Sequence, residues 1–317
     1  MASAIERLIT EIKRKENPTC VGFDTTLELV PEEIVWRYRN THRDIEGLTA
    51  CLLEYNIKMI DILKEIVPAI KVNISCYEKY GAPGLTCYTE TINAIQNAGM
   101  IAIGDVKRAD VTHTSSHYSE GHIGRPLVWE ERIPIMDVDF MTVNPYFGTD
   151  SIEPFIDDCI NYGKGIVVLV KTSNPSSSDF QDLLVRKASS ETYQRPLYEE
   201  VCARVSRWGE GLMSDKFHFS SVCAVVGATH PEQLIKLRKL FPKVFFLIPG
   251  YGAQGGGVDD ILPAFRDDGL GGIVNSARGI IGAHKMKEYN TVHYSDAIYL
   301  AALKMKDEIN NGLKDRI

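Results

Sequence analysis

The sequence predicts an α/β protein built as a (β/α)8 barrel of the TIM type, with long insertions in several loops. Three observations carry that prediction. Eight short apolar, β-branched runs recur along the 317 residues. They lack the in/out alternation of half-exposed strands, as expected of parallel strands covered on both faces. Segments with helical spacing of apolar residues separate most of them, and eight such strands over about 250 residues suit a closed barrel. A doubly wound open sheet uses the same alternation; the count of eight favours the barrel.

In chain order the strands are "TCVGFD" (19–24), "AIKVN" (69–73), "MIAIGDVK" (100–107), "FMTVNP" (140–145), "GIVVLVKT" (165–172), "SVCAVVGA" (221–228), "VFFLIPG" (244–250) and "GGIVNSA" (271–277). The opening "MASAIERLITEIKRKEN" reads as an amphipathic helix carrying acids, unlike a signal peptide. Helical spacing recurs in "LTACLLEYNIKMIDILKEI" (48–66), "HPEQLIKLRKLFP" (230–242) and "YSDAIYLAALKMKDEIN" (294–310). "CYTETINAIQNAG" (87–99) also reads as a helix and stops on a glycine. Three connections are long: 25–68, with room for two helices, 111–139 and 173–220. The last begins "SNPSSSDFQ", a polar Ser/Pro stretch that reads as a mobile lid. No repeat or linker divides the chain, so residues 1–317 are expected to form a single barrel domain.

Bulk composition narrows the function. A net charge of −7 argues against a broad nucleic-acid or anionic-membrane surface while leaving room for a local basic pocket. The seven cysteines are odd in number, scattered and free of any C-x-x-C pair, which argues against a disulfide framework or zinc knuckle and for a reducing compartment. No apolar run approaches the roughly 20 residues of a membrane span. A cytoplasmic location is expected.

Barrel enzymes build their sites at the C-terminal ends of the strands, and here those ends are unusually polar. Strand one ends at Asp24, strand two at Lys71 and Asn73, and strand three at Asp105 and Lys107. Strand four ends at Asn144 and strand five at Lys171, Thr172 and Ser173. A single polar strand end is unremarkable, because strands stop where polar residues begin; several ionic ends converging on one face make a site. Asp105 and Lys107 are two apart and so share a face of their strand, while Asp110 lies beyond it. A lysine flanked by carboxylates keeps its proton, which suits an electrostatic stabiliser and proton donor rather than a Schiff-base nucleophile. The bland alternative is a structural ion-pair network.

Strands seven and eight run into "PGYGAQGGG" and "NSARG", where barrels commonly bind phosphate. Glycines there free backbone N–H groups to face an anion, Gln254 offers an amide, and Arg278 offers a bidentate guanidinium. The alternative is a glycine-rich turn beside a surface arginine. Gly250-Tyr-Gly252-Ala-Gln-Gly255 also fits the G-x-G-x-x-G dinucleotide pattern. That reading needs a helix starting in the loop and an acid ending the next strand, and neither is expected here. His113 and His117, four apart, with His122 nearby, have no further ligand at zinc spacing. No G-x-S-x-G elbow is present.

"GDVKRADVTHT" (104–114) resembles the D-x-K-x-x-D-(I/V)-x-x-T signature of the orotidine 5′-monophosphate decarboxylase family. The blocks "GFDTT", "IKVN", "LVKTSNP", "PGYGAQGGG" and "NSARGI" agree in order and extend the likeness from Asp24 to Ile280. The D-x-K-x-x-D motif alone also marks a wider group of phosphosugar barrels; the set of blocks is more specific. With its insertions at 25–68, 111–139 and 173–220, the chain is similar to the long-form branch.

The resemblance implies a carbon–carbon lyase of pyrimidine synthesis that converts orotidine 5′-monophosphate to UMP without a cofactor or metal. It implies that Lys107 protonates C6 after carbon dioxide leaves, that Asp105 sits beside the substrate carboxylate, and that Asp24 and Lys71 contact the ribose with support from Asn73. It further implies that Asp110 and Thr114 serve the neighbouring subunit's site in a homodimer, and that Ser173, with Thr172, reads the pyrimidine edge. Gln254 and Arg278, with backbone N–H groups of Gly252 and Ala277, would grip the phosphate. Ala277 stands where the family often has glycine, so a backbone contact there depends on the alanine adopting suitable dihedrals.

Overall fold

The computed structural model describes residues 2–186, 194–252 and 255–315. Eight parallel strands close into a barrel: β1 Thr19–Phe23, β2 Ala69–Asn73, β3 Ile101–Arg108, β4 Phe140–Val143, β5 Gly165–Lys171, β6 Val222–Val226, β7 Phe246–Pro249 and β8 Gly272–Ser276. Neighbours in sequence are neighbours in the barrel, and β1 pairs with both β2 and β8 (Cys20 opposite Ala69, Thr19 opposite Val274). The expected (β/α)8 barrel is borne out, and the open doubly wound sheet is not formed.

Strand alternation sorts the core into two layers. Cys20, Ala69, Ile101, Ile103, Phe140, Val167, Cys223, Val225, Leu247 and Ile273 fill the barrel interior. Val21, Ile70, Ala102, Met141, Val168, Ala224, Ile248 and Val274 face the surrounding helices. Both layers are apolar, so the strands read as continuous hydrophobic runs. The helix α1, Ala4–Lys15, turns Ile5, Leu8, Ile9 and Ile12 into the interior cluster and stops the end of the barrel where the strands begin. Ser3 caps it through a reciprocal bond pair with Glu6. The buried Lys15 ammonium ties α1 to the approach to β2, donating to the carbonyls of Lys64 (2.5 Å) and Val67 (2.7 Å).

Other helices lie where the periodicity puts them, with informative shifts at their starts. Helix α2, Glu32–Thr41, and α3, Ile45–Leu63, fill the first long connection; α3 begins before Leu48 because Asp44 caps it through the Gly47 N–H at 2.8 Å. Helix α4 spans Gly81–Asn97, starting well before Cys87. Pro83 lies in its first turn, where a proline is tolerated because those N–H groups have no helical acceptor. Residues 111–139 form α5, Thr112–His122, followed by a hairpin pairing Leu127–Val128 with Glu131–Arg132. The third long connection contains a second hairpin, Leu184–Arg186 with Gln194–Pro196, then α6, Leu197–Trp208. The helix read over 230–242 is Pro231–Leu240, and the last one, α7, is Tyr294–Lys314. The seven cysteines are free. Among the described residues no helix is long and apolar enough to cross a membrane.

Candidate active site

A cavity of about 490 Å³ opens at the C-terminal ends of the strands. Asp24, Lys71, Asp105, Lys107, Thr172, Ser173, Ala277 and Arg278 all line it. The interior register explains the convergence. Lys71, Asp105, Thr142 and Asn275 continue the inward-facing series begun lower down by Ala69, Ile103, Phe140 and Ile273. The barrel interior is thus apolar at one end and ionic at the other.

The charges form an alternating chain. The Lys71 ammonium donates to Asp105 Oδ2 at 2.6 Å and lies 3.9 Å from Asp24 Oδ1. The Lys107 ammonium donates to Asp105 Oδ1. Side-chain exposure ranks the members: 7% for Lys71 and 10% for Asp105, but 50% for Lys107, so Lys107 is the open end of the chain. Burial opposes the charge on Lys71, but the Asp105 and Asp24 carboxylates outweigh it and hold its pKa above the ordinary lysine value. Burial likewise opposes the charge on Asp105, and the Lys71 and Lys107 ammoniums outweigh it, keeping the carboxyl below the usual range. Asp24 Oδ1 is enclosed and accepts no hydrogen bond among the described residues.

Lys107 reaches this position through an irregular backbone. Its φ is 48°, in the left-handed region, a conformation that costs a non-glycine residue about 1–3 kcal/mol. Strand pairing explains why. β3 and β4 pair Gly104 with Met141 and next Arg108 with Val143, so Asp105, Val106 and Lys107 lie opposite the single residue Thr142. The side chains of Asp105 and Lys107 therefore meet across a bulge, rather than by the simple strand alternation that the sequence suggested.

The remaining candidate residues fall less simply. Asn73 does not line the cavity: its Oδ1 accepts from the Ser75 hydroxyl at 2.9 Å and N–H at 3.3 Å. Asp110 and Thr114 also stay out of the cavity, and Asp110 Oδ1 accepts from the Val111 N–H at 2.7 Å. Thr172 does line it, but its polar groups are taken. Its N–H donates to Gln181 Oε1 (2.9 Å), its hydroxyl bonds to Gln181 and Asn174, and its carbonyl meets His230 Nε2 at 3.0 Å. Thr172 is a strut, and Ser173 beside it carries the free polar surface. The Ser/Pro stretch read as a mobile lid is anchored. Pro175–Ser177 and Ser178–Gln181 are short helical turns, and the buried Lys171 ammonium donates to Asp182 (2.8 Å) and Ser177 (3.3 Å).

At the late loops, Gly250 and Tyr251 line the cavity and Gly252 sits exposed at its rim. The Gly252 N–H donates to the Gly256 carbonyl at 2.9 Å, so in this conformation it is not available to an anion. Ala277 has φ −113° and ψ −91°, clear of the left-handed region that favours glycine but outside the main helical and extended regions. The Arg278 side chain is exposed and makes no hydrogen bond or ion pair among the described residues. Gln254 lies outside the described residues. No helix starts at Gly252; the next begins at Val258, which removes the dinucleotide pattern.

His113 and His117 pack ring against ring at 4.8 Å on α5. Among the described residues no group of three or more His, Cys, Asp or Glu side chains is placed to hold a metal ion. Sequence reasoning missed Thr142, Asn275 and Gln181 as cavity residues. The period-two argument that found Asp105 would also have found Thr142, two residues beyond the interior Phe140. Gln181 sits in a Ser/Pro segment that gives no such signal.

A closed (β/α)8 barrel with an ionic cavity at the C-terminal ends of its strands belongs to the class of barrel enzymes. Residues 18–289 match the orotidine 5′-phosphate decarboxylase / HUMPS family, and the chain belongs to that family. It is 36% identical to the orotidine 5′-phosphate decarboxylase of Caldicellulosiruptor bescii, covering 99% of this chain and 100% of that one. It is 38% identical to that of Clostridium novyi, over 98% and 99% of the two chains. The solved structure of Leishmania donovani OMP decarboxylase superposes with a TM-score of 0.72 at 28% identity, covering 98% of this chain and 99% of that one. The expected family, and the expected enzyme class of a decarboxylating carbon–carbon lyase, are borne out.

Proposed function

We propose that this protein decarboxylates orotidine 5′-monophosphate to UMP, the closing step of pyrimidine nucleotide synthesis, without a cofactor. The observation that carries the reading is the Lys71–Asp105–Lys107 chain with Lys107 at its open end. Arg278 holds the phosphate, with Gly250 and Tyr251 lining the cavity beside it, and the family resemblance assigns Gln254 to the same phosphate. The enclosed Asp24 Oδ1 accepts from a ribose hydroxyl, and Lys71 completes that contact. Ser173 meets the pyrimidine edge.

This pose places C6 and its carboxylate beside Asp105 and Lys107. Cleavage of the bond to C6 releases carbon dioxide and leaves the electron pair on C6, where no ring position delocalises it. The fixed ammonium of Lys107 stabilises that charge as it develops and then delivers a proton to C6. Solvent reprotonates the lysine after product release. Binding energy at the distant phosphate supports closure of the rim, including exchange of the Gly252–Gly256 bond for contacts to the ligand.

The half-exposed Asp110 and Thr114, both outside the cavity of their own chain, fit service to the neighbouring site of a homodimer. The test is loss of orotidine 5′-monophosphate absorbance on adding the protein in excess chelator. Turnover is expected; turnover that chelator abolishes would instead indicate a metal-dependent phosphosugar enzyme, and none at all would remove the assignment.

A further inference from the structure

Opposite the charged pair stands an uncharged side chain whose bonding is unusually complete. Thr142 is 1% exposed on β4. Its hydroxyl accepts from the backbone N–H of Val106 at 2.8 Å and of Lys107 at 2.9 Å, and it donates to Asp105 Oδ1 at 3.1 Å. A hydroxyl has one proton and two lone pairs, so every hydrogen-bonding capacity of this one is used. The bulge explains the need. With three residues of β3 facing one of β4, the N–H groups of Val106 and Lys107 have lost their ladder partners. The threonine oxygen replaces both at once.

We propose that Thr142 is a positioning residue whose hydroxyl holds the bulge that turns Lys107 into its left-handed conformation and sets its ammonium against Asp105. The hydroxyl reaches the lysine through its backbone and the aspartate through its carboxylate, so one atom fixes the relative placement of both groups. Thr142 contacts the pair and leaves the phosphate and ribose contacts to other residues. Its loss therefore acts on the reaction more than on binding. The inference rests on the decarboxylase reading above.

The test compares Thr142→Val, which keeps the shape and removes the hydroxyl, with Thr142→Ser, which keeps the hydroxyl. Displacement of a catalytic group by about an ångström lowers kcat on the order of tenfold to a hundredfold, and that loss is expected for Thr142→Val. Its KM and UMP affinity should stay within about threefold of the wild type, and Thr142→Ser should keep kcat within about threefold. Amide hydrogen exchange at Val106 and Lys107 should accelerate in Thr142→Val and not in Thr142→Ser. Wild-type kcat in Thr142→Val, an equal loss in Thr142→Ser, or a matching loss of UMP affinity would overturn the proposal. If the valine variant does not fold, Thr142→Ala replaces it, and a kcat equal to that of Thr142→Ser then overturns the proposal in the same way. A wild-type protein that leaves orotidine 5′-monophosphate intact refutes the decarboxylase reading instead, and the amide exchange then still decides whether the hydroxyl holds the bulge.

Discussion

Lys71 and Lys107 bind the same carboxylate, yet their surroundings give them different work. Lys71 is enclosed between Asp105 and Asp24, whereas half of Lys107 faces the cavity. Lys107→Ala should therefore lower decarboxylation below detection while UMP still binds, which calorimetry on the purified variant would check; near-normal turnover would sink the proton-donor role. The network also sets a pH window. The Asp105 pKa is depressed, so its stabilising contribution is present above about pH 4 and lost as pH falls further. The Lys71 pKa is raised, so its contribution is present below about pH 10 and lost as pH rises through the folded value. Between those limits Asp105 and Lys71 stay charged, and a slope in stability must come from elsewhere. His122 supplies one. Burial, with the Arg108 charge in support, lowers its pKa to about 4. The unfolded chain takes up that proton near pH 6.5 while the folded one resists, so stability falls between about pH 6.5 and 4 by roughly 3 kcal/mol. A His122→Gln protein should show a flatter dependence in urea unfolding at pH 7 and pH 5. At this scale the sequence was legible where charge breaks an apolar run, as at Asp105 and Lys107. It was silent at Thr142 and Gln181, which line the cavity but are of residue types as common at ordinary strand ends and turns.

The elements around the cavity divide the ligand between them. The segment after β5 is braced by Lys171 from below and by Gln181 from the side, which leaves Ser173 on a firm support. Among the described residues of the loop after β7, the Gly252 N–H donates to the Gly256 carbonyl, the Tyr251 hydroxyl to Glu308 at 2.7 Å and the Gly257 N–H to Asp260 at 2.8 Å. On the proposed reading the loop after β7 meets the phosphate and the loop after β5 meets the base. Arg278→Ala should weaken UMP binding by at least about tenfold, since a charge-assisted bidentate contact is lost, and leave uridine binding nearly unchanged. An equal loss for both ligands would move the phosphate site elsewhere. Element positions were readable because buried parallel strands are long on β-branched residues and short on alternation. The two hairpins were not, since Glu131–Arg132 and Gln194–Pro196 are short and polar and carry no strand pattern. The bulge between β3 and β4 was equally hidden: it arises from pairing with a neighbour, and a single strand's sequence does not contain its register.

At the scale of the whole molecule, the proposed dimer makes a sharper demand than activity alone. If Asp110 serves the neighbouring site, Lys107→Ala and Asp110→Ala proteins should each be nearly inactive as pure dimers. When their subunits are mixed and exchanged, half of the dimers are hybrids in which one site carries both changes and the other neither. Activity should return to about one quarter of the wild type, measured by the same absorbance assay; no recovery would assign Asp110 to its own subunit. The choice of a barrel over an open sheet rested in the sequence on counting strands, and only the pairing of β1 with β8 decides it physically. That closure also orders events during synthesis. Asp24 follows the first strand and Arg278 the last, so a chain emerging from the ribosome has most of its charged cluster encoded before it can complete the cavity. Until β8 appears, β1 and β7 each present an unpaired edge, the kind of edge that invites pairing with another chain. The nascent protein is thus inactive and most exposed to misassembly until nearly the whole barrel has been translated.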